Sequence, residues 1–391
     1  MQRVIVSITG TRADWGLMTP VYDAIGIHDR LRLELVVTGM HLLPEFSSSL
    51  EQIKAGFGNH YHVAKMLHSG DDPTAVAQSV GSAIVSMGDI FGTIQPDLLL
   101  LQGDRSEMLA AAVTAIHMNI PIVHMSGGDF SGSIDDSIRN AISKIAHIHL
   151  ATCEASTRRL VEMGEDPRRI FEVGEPGLDL IRKMAFLSFN NVCQKWRLNP
   201  ERPIALMTQH PVTTESKDSA WQIRQTLEAL DELDLQVVLT YPNTDLGGQA
   251  MREVIQTYRA REKFKIVENL GSNDYLNLMK YASVIVGNSS SGILEAPSFQ
   301  VPAVNIGTRQ YGRVRACNVI DVDYDKAMIK EAIQTALHDA TFRQNLANCR
   351  NPYGDGYCAE KTVAILDELS LTPALLNKWL PATRPFIHHE V

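Results

Sequence analysis

The sequence predicts an α/β protein made of two Rossmann-like, doubly wound domains with a cleft between them. Three observations predict it. Short apolar runs recur along the chain, each followed by a segment of helical periodicity, and that alternation builds parallel sheets. The pattern breaks once, in a turn-rich stretch between Asp179 and Pro203, and then restarts. At 391 residues the chain exceeds what one core usually supports, and length alone favours two domains of about 150–200 residues.

The first-half strands are expected at residues 3–8, 33–37, 97–101, 121–124, 148–151 and 170–173. A long helix at 75–94 separates two of them, because Val76, Val80, Ile84, Met87 and Phe91 recur at three- and four-residue spacing. After the break, strands are expected at 203–207, 235–239, 264–267, 283–286 and 302–306, with helices near 219–232, 248–259 and 274–281. The domains are therefore drawn as 1–182 and 183–391. Residues 357–370 and 373–379 read as one or two helices closing the second domain. Ligands of open α/β sheets bind at the carboxyl ends of the strands, so the cleft between two such domains is the expected site.

Composition is that of an ordinary globular protein, with 45% hydrophobic and 21% charged residues. The formal charge is −9 and no basic tract is present, which argues against nucleic acid and anionic membranes as partners. Five widely spaced cysteines without C-x-x-C spacing point to reduced thiols in a cytoplasm. The first residues run straight into a strand without a signal-peptide pattern, and no stretch approaches the ~20 apolar residues of a membrane span. A cytoplasmic enzyme is expected.

The run Gly287-Asn288-Ser289-Ser290-Ser291-Gly292-Ile293-Leu294-Glu295 follows an apolar strand and opens a helical segment. Small hydroxyl residues and bare amides at a helix start make a phosphate seat. A carboxylate beside such a seat makes sense if it meets sugar, so Glu295 is expected on the ribose hydroxyls. Arg309, in Gly307-Thr308-Arg309-Gln310, and Arg313 and Arg315 behind it offer charge to the same diphosphate, or are surface arginines. Gly10-Thr11-Arg12-Ala13-Asp14 lacks the glycine spacing of a dinucleotide fold, and no Walker-type run occurs. Arg12 either reaches a nucleotide or sits in solvent.

Asp104 and Arg105 follow the strand at 97–101; Asp104 is either a helix cap or a group aimed at the cleft. His124 closes the next strand before Gly127-Gly128, a pair that lets backbone approach a ligand. Asp129, Asp135 and Asp136 follow at once. Acids and a histidine at neighbouring strand ends suit abstraction of a weakly acidic carbon-bound proton, and they equally suit caps and surface charges. His210, in Gln209-His210-Pro211-Val212-Thr213-Thr214, would face the cleft from the other wall. His147 and His149 alternate on a strand without a third ligand, so no metal is assigned to them.

Taken in order, these stretches, with Gly132-Ser133-Ile134-Asp135-Asp136-Ser137-Ile138-Arg139 and Tyr241-Pro242-Asn243, resemble the UDP-N-acetylglucosamine 2-epimerase family, and more closely its hydrolysing branch in sialic and related nonulosonic acid synthesis. The resemblance spans nearly the whole chain. It implies a glycosyltransferase-B-like pair of Rossmann domains assembled as a homodimer or homotetramer. It also implies loss of the C2 proton with loss of UDP from C1, giving a 2-acetamidoglycal, then addition of water to release the free 2-epimer. No redox cofactor or metal is required. By this likeness Arg12, His210, Asn243, Ser289, Ser290, Glu295 and Arg309 match positions that hold UDP, Arg105 grips substrate, and Asp104 and Asp135 match acids of the proton transfers; His210 is also counted with the catalytic set.

The chain departs from the family at Ser126, where many relatives carry a glutamate; Asp129 is the candidate to take its place. The departure is also compatible with a different sugar, since related enzymes act on UDP-N,N′-diacetylbacillosamine. A non-hydrolysing epimerase and a glycosyltransferase or sugar-nucleotide binder on the same fold are the rival readings.

Overall fold

A computed structural model describes residues 2–43, 47–68, 73–131, 135–243, 245–268 and 270–378. Two compact units emerge. The first runs to Leu180 and takes the chain back from Tyr353; the second holds Ile181–Pro352.

The first unit carries a seven-stranded sheet: β1 (Arg3–Thr9), β2 (Leu31–Val37), β3 (Tyr61–Val63), β4 (Leu98–Gln102), β5 (Ile122–Met125), β6 (Ile148–Ala151) and β7 (Ile170–Glu172). Their spatial order is β3-β2-β1-β4-β5-β6-β7, and every pairing is parallel. Leu98, Leu99, Leu100 and Leu101 are all fully buried, as expected where helices cover both faces of a parallel sheet. The edge strand β3 is absent from the sequence-based expectation. Its three residues, Tyr61-His62-Val63, are only partly buried or exposed and carry no apolar run; they are recruited by backbone pairing to β2 and by His60 and His62, whose rings each lie 3.0 Å from the Glu34 carboxylate.

The second unit carries β8 (Ile204–Thr208), β9 (Gln236–Thr240), β10 (Phe264–Val267), β11 (Val284–Gly287), β12 (Ala303–Ile306) and β13 (Val319–Val322). The order is β10-β9-β8-β11-β12-β13, again parallel throughout. Here too the unforeseen strand, β13, is at an edge, with Asp321 interrupting its apolar residues. In each sheet the strand order reverses once, between β1 and β4 and between β8 and β11, and the turns after those strands are where ligands of such folds bind.

The C-terminal helices do not close the second domain as expected. Helix Cys358–Glu368 packs on helix Arg12–Gly26 of the first unit. Its first amides, on Cys358 and Ala359, donate to the Asp179 carboxylate at 2.9 Å each, while Arg3 donates to the carbonyls of Leu366, Asp367 and Leu369 at its other end. An amphipathic pattern reports that a helix has an apolar face, and the partner core is chosen by these long-range bonds.

Cys317 and Cys349 lie side by side in the second unit, their Cα atoms 5.7 Å apart; Cys153, Cys193 and Cys358 are free and buried. Among the described residues no helix is long and apolar enough to cross a membrane.

Candidate functional site

In the second unit three loops after β8, β11 and β12 come together. Gly287 ends β11 at a φ of 125°, and a Cβ there would lie 2.1 Å from the Thr208 carbonyl oxygen, so only glycine permits this approach. The helix that follows is shorter than the sequence suggests. It is a single turn, Ser291–Leu294, continued by a 3₁₀ turn, Ala296–Phe299, with Glu295 at the junction and Pro297 just after it. A dipole this short adds little, so the anion-binding capacity rests on hydroxyls and cations. The Ser289 hydroxyl pairs with that of Ser291 at 2.9 Å, and Ser291 pairs with the Tyr275 hydroxyl at 2.6 Å. Ser289 and Ser290 are half-buried at the mouth of this network.

His210 enters the same place. Its Nδ1 accepts the Asn243 backbone N–H at 3.1 Å, which leaves the remaining ring proton on Nε2. Burial, and secondarily the nearby Arg309 guanidinium, push its pKa down to about 3. His210 is therefore a neutral donor at physiological pH. Arg309 donates through Nη1 to the Asn288 carbonyl at 3.1 Å, and burial with Arg313 beside it lowers its pKa. Glu295 is pushed the other way: burial raises it to about 7 against the pull of Arg313. Its Oε2 is out of solvent and without a hydrogen-bond partner, as are Asn243 Oδ1, Arg313 Nε and Gln209 Nε2. Each such orphaned group costs about 1–3 kcal/mol. Several on one set of loops mark a surface shaped for a polar ligand.

In the first unit, the two turns at the strand reversal are knitted together. The Asp14 carboxylate accepts from the amides of Gly10 (3.2 Å) and Thr11 (2.8 Å) and from the hydroxyls of Thr9 and Thr11. Gly10 itself leans on Glu107, whose Oε1 would lie 2.1 Å from a Cβ at that position. Arg105 donates to the same Glu107 carboxylate at 2.9 Å. Arg12, exposed in the first turn of its helix, and Arg105, also exposed, project from this scaffold.

Asp104 is not a helix cap. Arg105 occupies that position in helix Ser106–His117, and the Asp104 carboxylate instead meets the Arg139 guanidinium, which also binds Asp136 and the Asp129 carbonyl. Asp135 lies exposed at the start of helix Asp135–Ile145, one residue before Asp136. The preceding Gly132, Ser133 and Ile134 lie outside the described residues.

Two expectations here are corrected. His124 is fully buried, its Nε2 on the Gly103 carbonyl at 2.8 Å and its Nδ1 on the Ser143 hydroxyl at 3.1 Å. Burial holds its pKa near about 4, so it fixes the turn that carries Asp104 and moves no proton. Gly127 and Gly128 likewise serve packing: a Cβ at Gly127 would lie 2.9 Å from the Ser143 hydroxyl and one at Gly128 2.3 Å from the Ser156 carbonyl. Asp129 is turned the same way, its Oδ1 accepting from Thr152 (2.6 Å) and Ser156 (2.5 Å). That pairing ties it to the start of helix Glu154–Glu162. Ser126 itself adopts a left-handed φ of 63°, and its buried hydroxyl has no partner. His149 pairs with the Glu165 carboxylate and His147 accepts the Ile122 amide.

Sequence reasoning gave no role to Arg139, Asp14, Glu107, Tyr275 or Asn288. Arg139 and Asn288 sit inside quoted motifs, and their partners are too distant in sequence to be read from spacing.

The family model described as UDP-N-acetylglucosamine 2-epimerase matches residues 23–367. The chain is 38% identical over 380 residues, 97% of its length and 99% of the relative's, to a UDP-N,N′-diacetylbacillosamine 2-epimerase (hydrolyzing) of Legionella pneumophila. It is 35% identical over 332 residues, 85% of its length and 87% of the relative's, to a UDP-N-acetylglucosamine 2-epimerase of Neisseria meningitidis. The fold is similar to a solved UDP-GlcNAc 2-epimerase from Neisseria meningitidis, with a TM-score of 0.79 at 18% identity, covering 93% of this chain and 99% of that one.

Proposed function

This chain belongs to the UDP-N-acetylglucosamine 2-epimerase family, and from that premise we propose that it is a hydrolysing 2-epimerase of a UDP-2-acetamido sugar. It converts UDP-GlcNAc to free N-acetylmannosamine and UDP, the opening step of sialic-acid-type synthesis. The observation that carries the reading is the orphaned Oε2 of Glu295 on the loop of Ser289 and Ser290. A buried carboxylate oxygen with no partner among the described residues asks for a donor from a ligand, and the ribose diol of a nucleotide supplies one.

In this reading Ser289, Ser290, the Nε2–H of His210 and the Arg309 guanidinium hold the diphosphate, Glu295 takes the ribose hydroxyls, and Asn243 lends its free carbonyl oxygen. Arg12 and Arg105 grip the phosphate and sugar from the first unit. A carboxylate, Asp104, removes the C2 proton as the C1–O bond breaks and UDP leaves with the electron pair. The donors around the diphosphate meet the growing charge, which is what makes UDP depart. Water then adds across the resulting glycal, its oxygen to C1 and a proton from Asp135 to C2 on the opposite face; the proton the water gives up returns to the Asp135 carboxylate, and Asp104 passes the C2 proton it took to solvent. Arg139 orients Asp104 throughout. No redox cofactor or metal enters this scheme. A cytosolic homo-oligomer is part of the reading.

A second sugar is favoured by one observation, the name of the 38% identical relative: the 4-acetamido-6-deoxy congener of UDP-GlcNAc. A panel of both substrates in D2O tests the proposal. Free 2-epimeric sugar carrying deuterium at C2, together with UDP, is expected from one of them; release of an epimerised nucleotide sugar would replace hydrolysis by the reversible reaction, and tight UDP binding without label would leave a binder.

A further inference from the structure

Resting on the UDP-binding reading above, we propose that Asn288 is a positioning residue that sets His210 and Arg309 against the Ser289-Ser290 loop, so that donors from three separate loops converge on one diphosphate. Asn288 is fully buried. Its side-chain amide bonds the His210 backbone twice: Oδ1 accepts the His210 N–H at 2.7 Å and Nδ2 donates to the His210 carbonyl at 2.8 Å. Its own carbonyl accepts from Arg309 Nη1 at 3.1 Å and from the buried Gln310 Nε2 at 2.9 Å. Its N–H donates to the Thr208 carbonyl at 3.2 Å. One residue thus spans the loops after β8, β11 and β12.

The chemistry is specific to asparagine. A carboxylate of the same shape still accepts the His210 N–H but turns an oxygen toward the His210 carbonyl and sets a negative charge beside the anion to be bound. A serine is too short to reach both His210 groups. Arg309 and Gln310 bond the backbone carbonyl, which any residue at 288 keeps, whereas the side chain acts on His210, so the loss of the Asn288 amide and the loss of the His210 imidazole should not add, as expected of groups in one network.

The test is calorimetric titration of UDP into the wild-type chain, N288D, N288S, H210A and the N288S/H210A double variant, with folding followed by circular dichroism and with kcat and KM measured on each. Both Asn288 variants are expected to keep the fold and to bind UDP about ten- to a hundredfold more weakly. H210A should then weaken N288S by less than about threefold, well short of its effect on the wild-type chain. Folded Asn288 variants with UDP affinity within about twofold of wild type, or fully additive losses, would overturn the proposal. So would loss of fold in both variants, which makes Asn288 a folding residue. A wild-type chain that fails to bind UDP overturns the functional reading instead, so the two failures are distinct.

Discussion

The guanidinium of Arg139 closes on the carboxylate of Asp104, an ion pair across 35 residues of chain that joins the turn after β4 to helix Asp135–Ile145. Arg139 is 5% exposed, and it also binds Asp136. The Asp104 carboxylate, to which the proposed mechanism gives the C2 proton, is therefore aimed by a buried cation rather than by its own turn. Asp104→Asn keeps the shape and some of the hydrogen bonding and removes the base, so turnover should fall by about a hundredfold or more. UDP affinity should stay near wild type, because Asp104 is assigned to the C2 proton of the sugar and to no part of the nucleotide. Steady-state kinetics paired with UDP titration checks this; unchanged kcat would remove Asp104 from the proton transfers.

Glu295 gives the site a pH dependence of definite sign. Its carboxyl titrates at about 7 in the folded chain, above the usual glutamate value, so the group is substantially protonated at pH 6. Ribose hydroxyls bond best to the ionised form, and UDP binding should therefore expel a proton from Glu295. Binding enthalpies measured at pH 6 in buffers of different ionisation heat should show this release, less of it in E295Q, and E295Q should bind UDP about tenfold more weakly. Equal proton release in both proteins would place the ribose elsewhere.

Ser290→Ala and Arg309→Ala separate holding from chemistry. Both should raise the UDP dissociation constant, Arg309→Ala by about tenfold or more, since hydrogen bonds to charged groups are worth roughly 1.5–3 kcal/mol. Folding stability should change little, because Ser290 and Arg309 are only partly buried. Calorimetric titration showing unaltered affinity in both would dissolve the phosphate seat.

Acid should destabilise this protein well above the range of its carboxylates. Burial holds His124 and His147 near about 4 and His210 near about 3, all below the histidine value of 6.5. As pH falls below 6.5 the unfolded chain takes up protons that the folded one refuses, so stability is lost between pH 6.5 and about 4. His124 alone, fully buried, accounts for a loss of order 3 kcal/mol at the bottom of that window. Glu165, drawn down to about 2 by His149, Lys144 and Lys378 despite its burial, extends the loss below pH 4.5. Urea midpoints at pH 7 and pH 5 should differ markedly; equal midpoints would contradict the buried neutral histidines.

Much of the molecule was readable from local pattern. The runs Leu98-Leu99-Leu100-Leu101 and Val284-Ile285-Val286 are apolar because strands buried on both faces must be, and they stand out without any knowledge of neighbours. Edge strands β3 and β13 escaped because one side of each is wet and their pairing partner, not their composition, makes them strands. The loop Gly287-Asn288-Ser289-Ser290 was visible as a polar, glycine-led break after a strand. The shortness of its helix was legible but missed: Pro297 lacks the N–H that a longer helix needs and its ring clashes with the turn before it, so the helix stops at Leu294 and a 3₁₀ turn follows with Pro297 near its start.

The amino-acid sequence by itself determined the two parallel sheets, the family, and which strand ends carry polar chemistry, because periodicity and motif order are local and survive without coordinates. Only the tertiary structure decided what those polar groups do. It buried His124 into packing, tied Asp129 to Thr152 and Ser156, put Asp104 on Arg139, left Glu295 Oε2 without a partner among the described residues, and sent the last helices back to the first unit through Asp179 and Arg3. The physical reason is that protonation, orientation and hydrogen-bond satisfaction depend on neighbours tens to hundreds of residues away, which spacing along a chain does not encode.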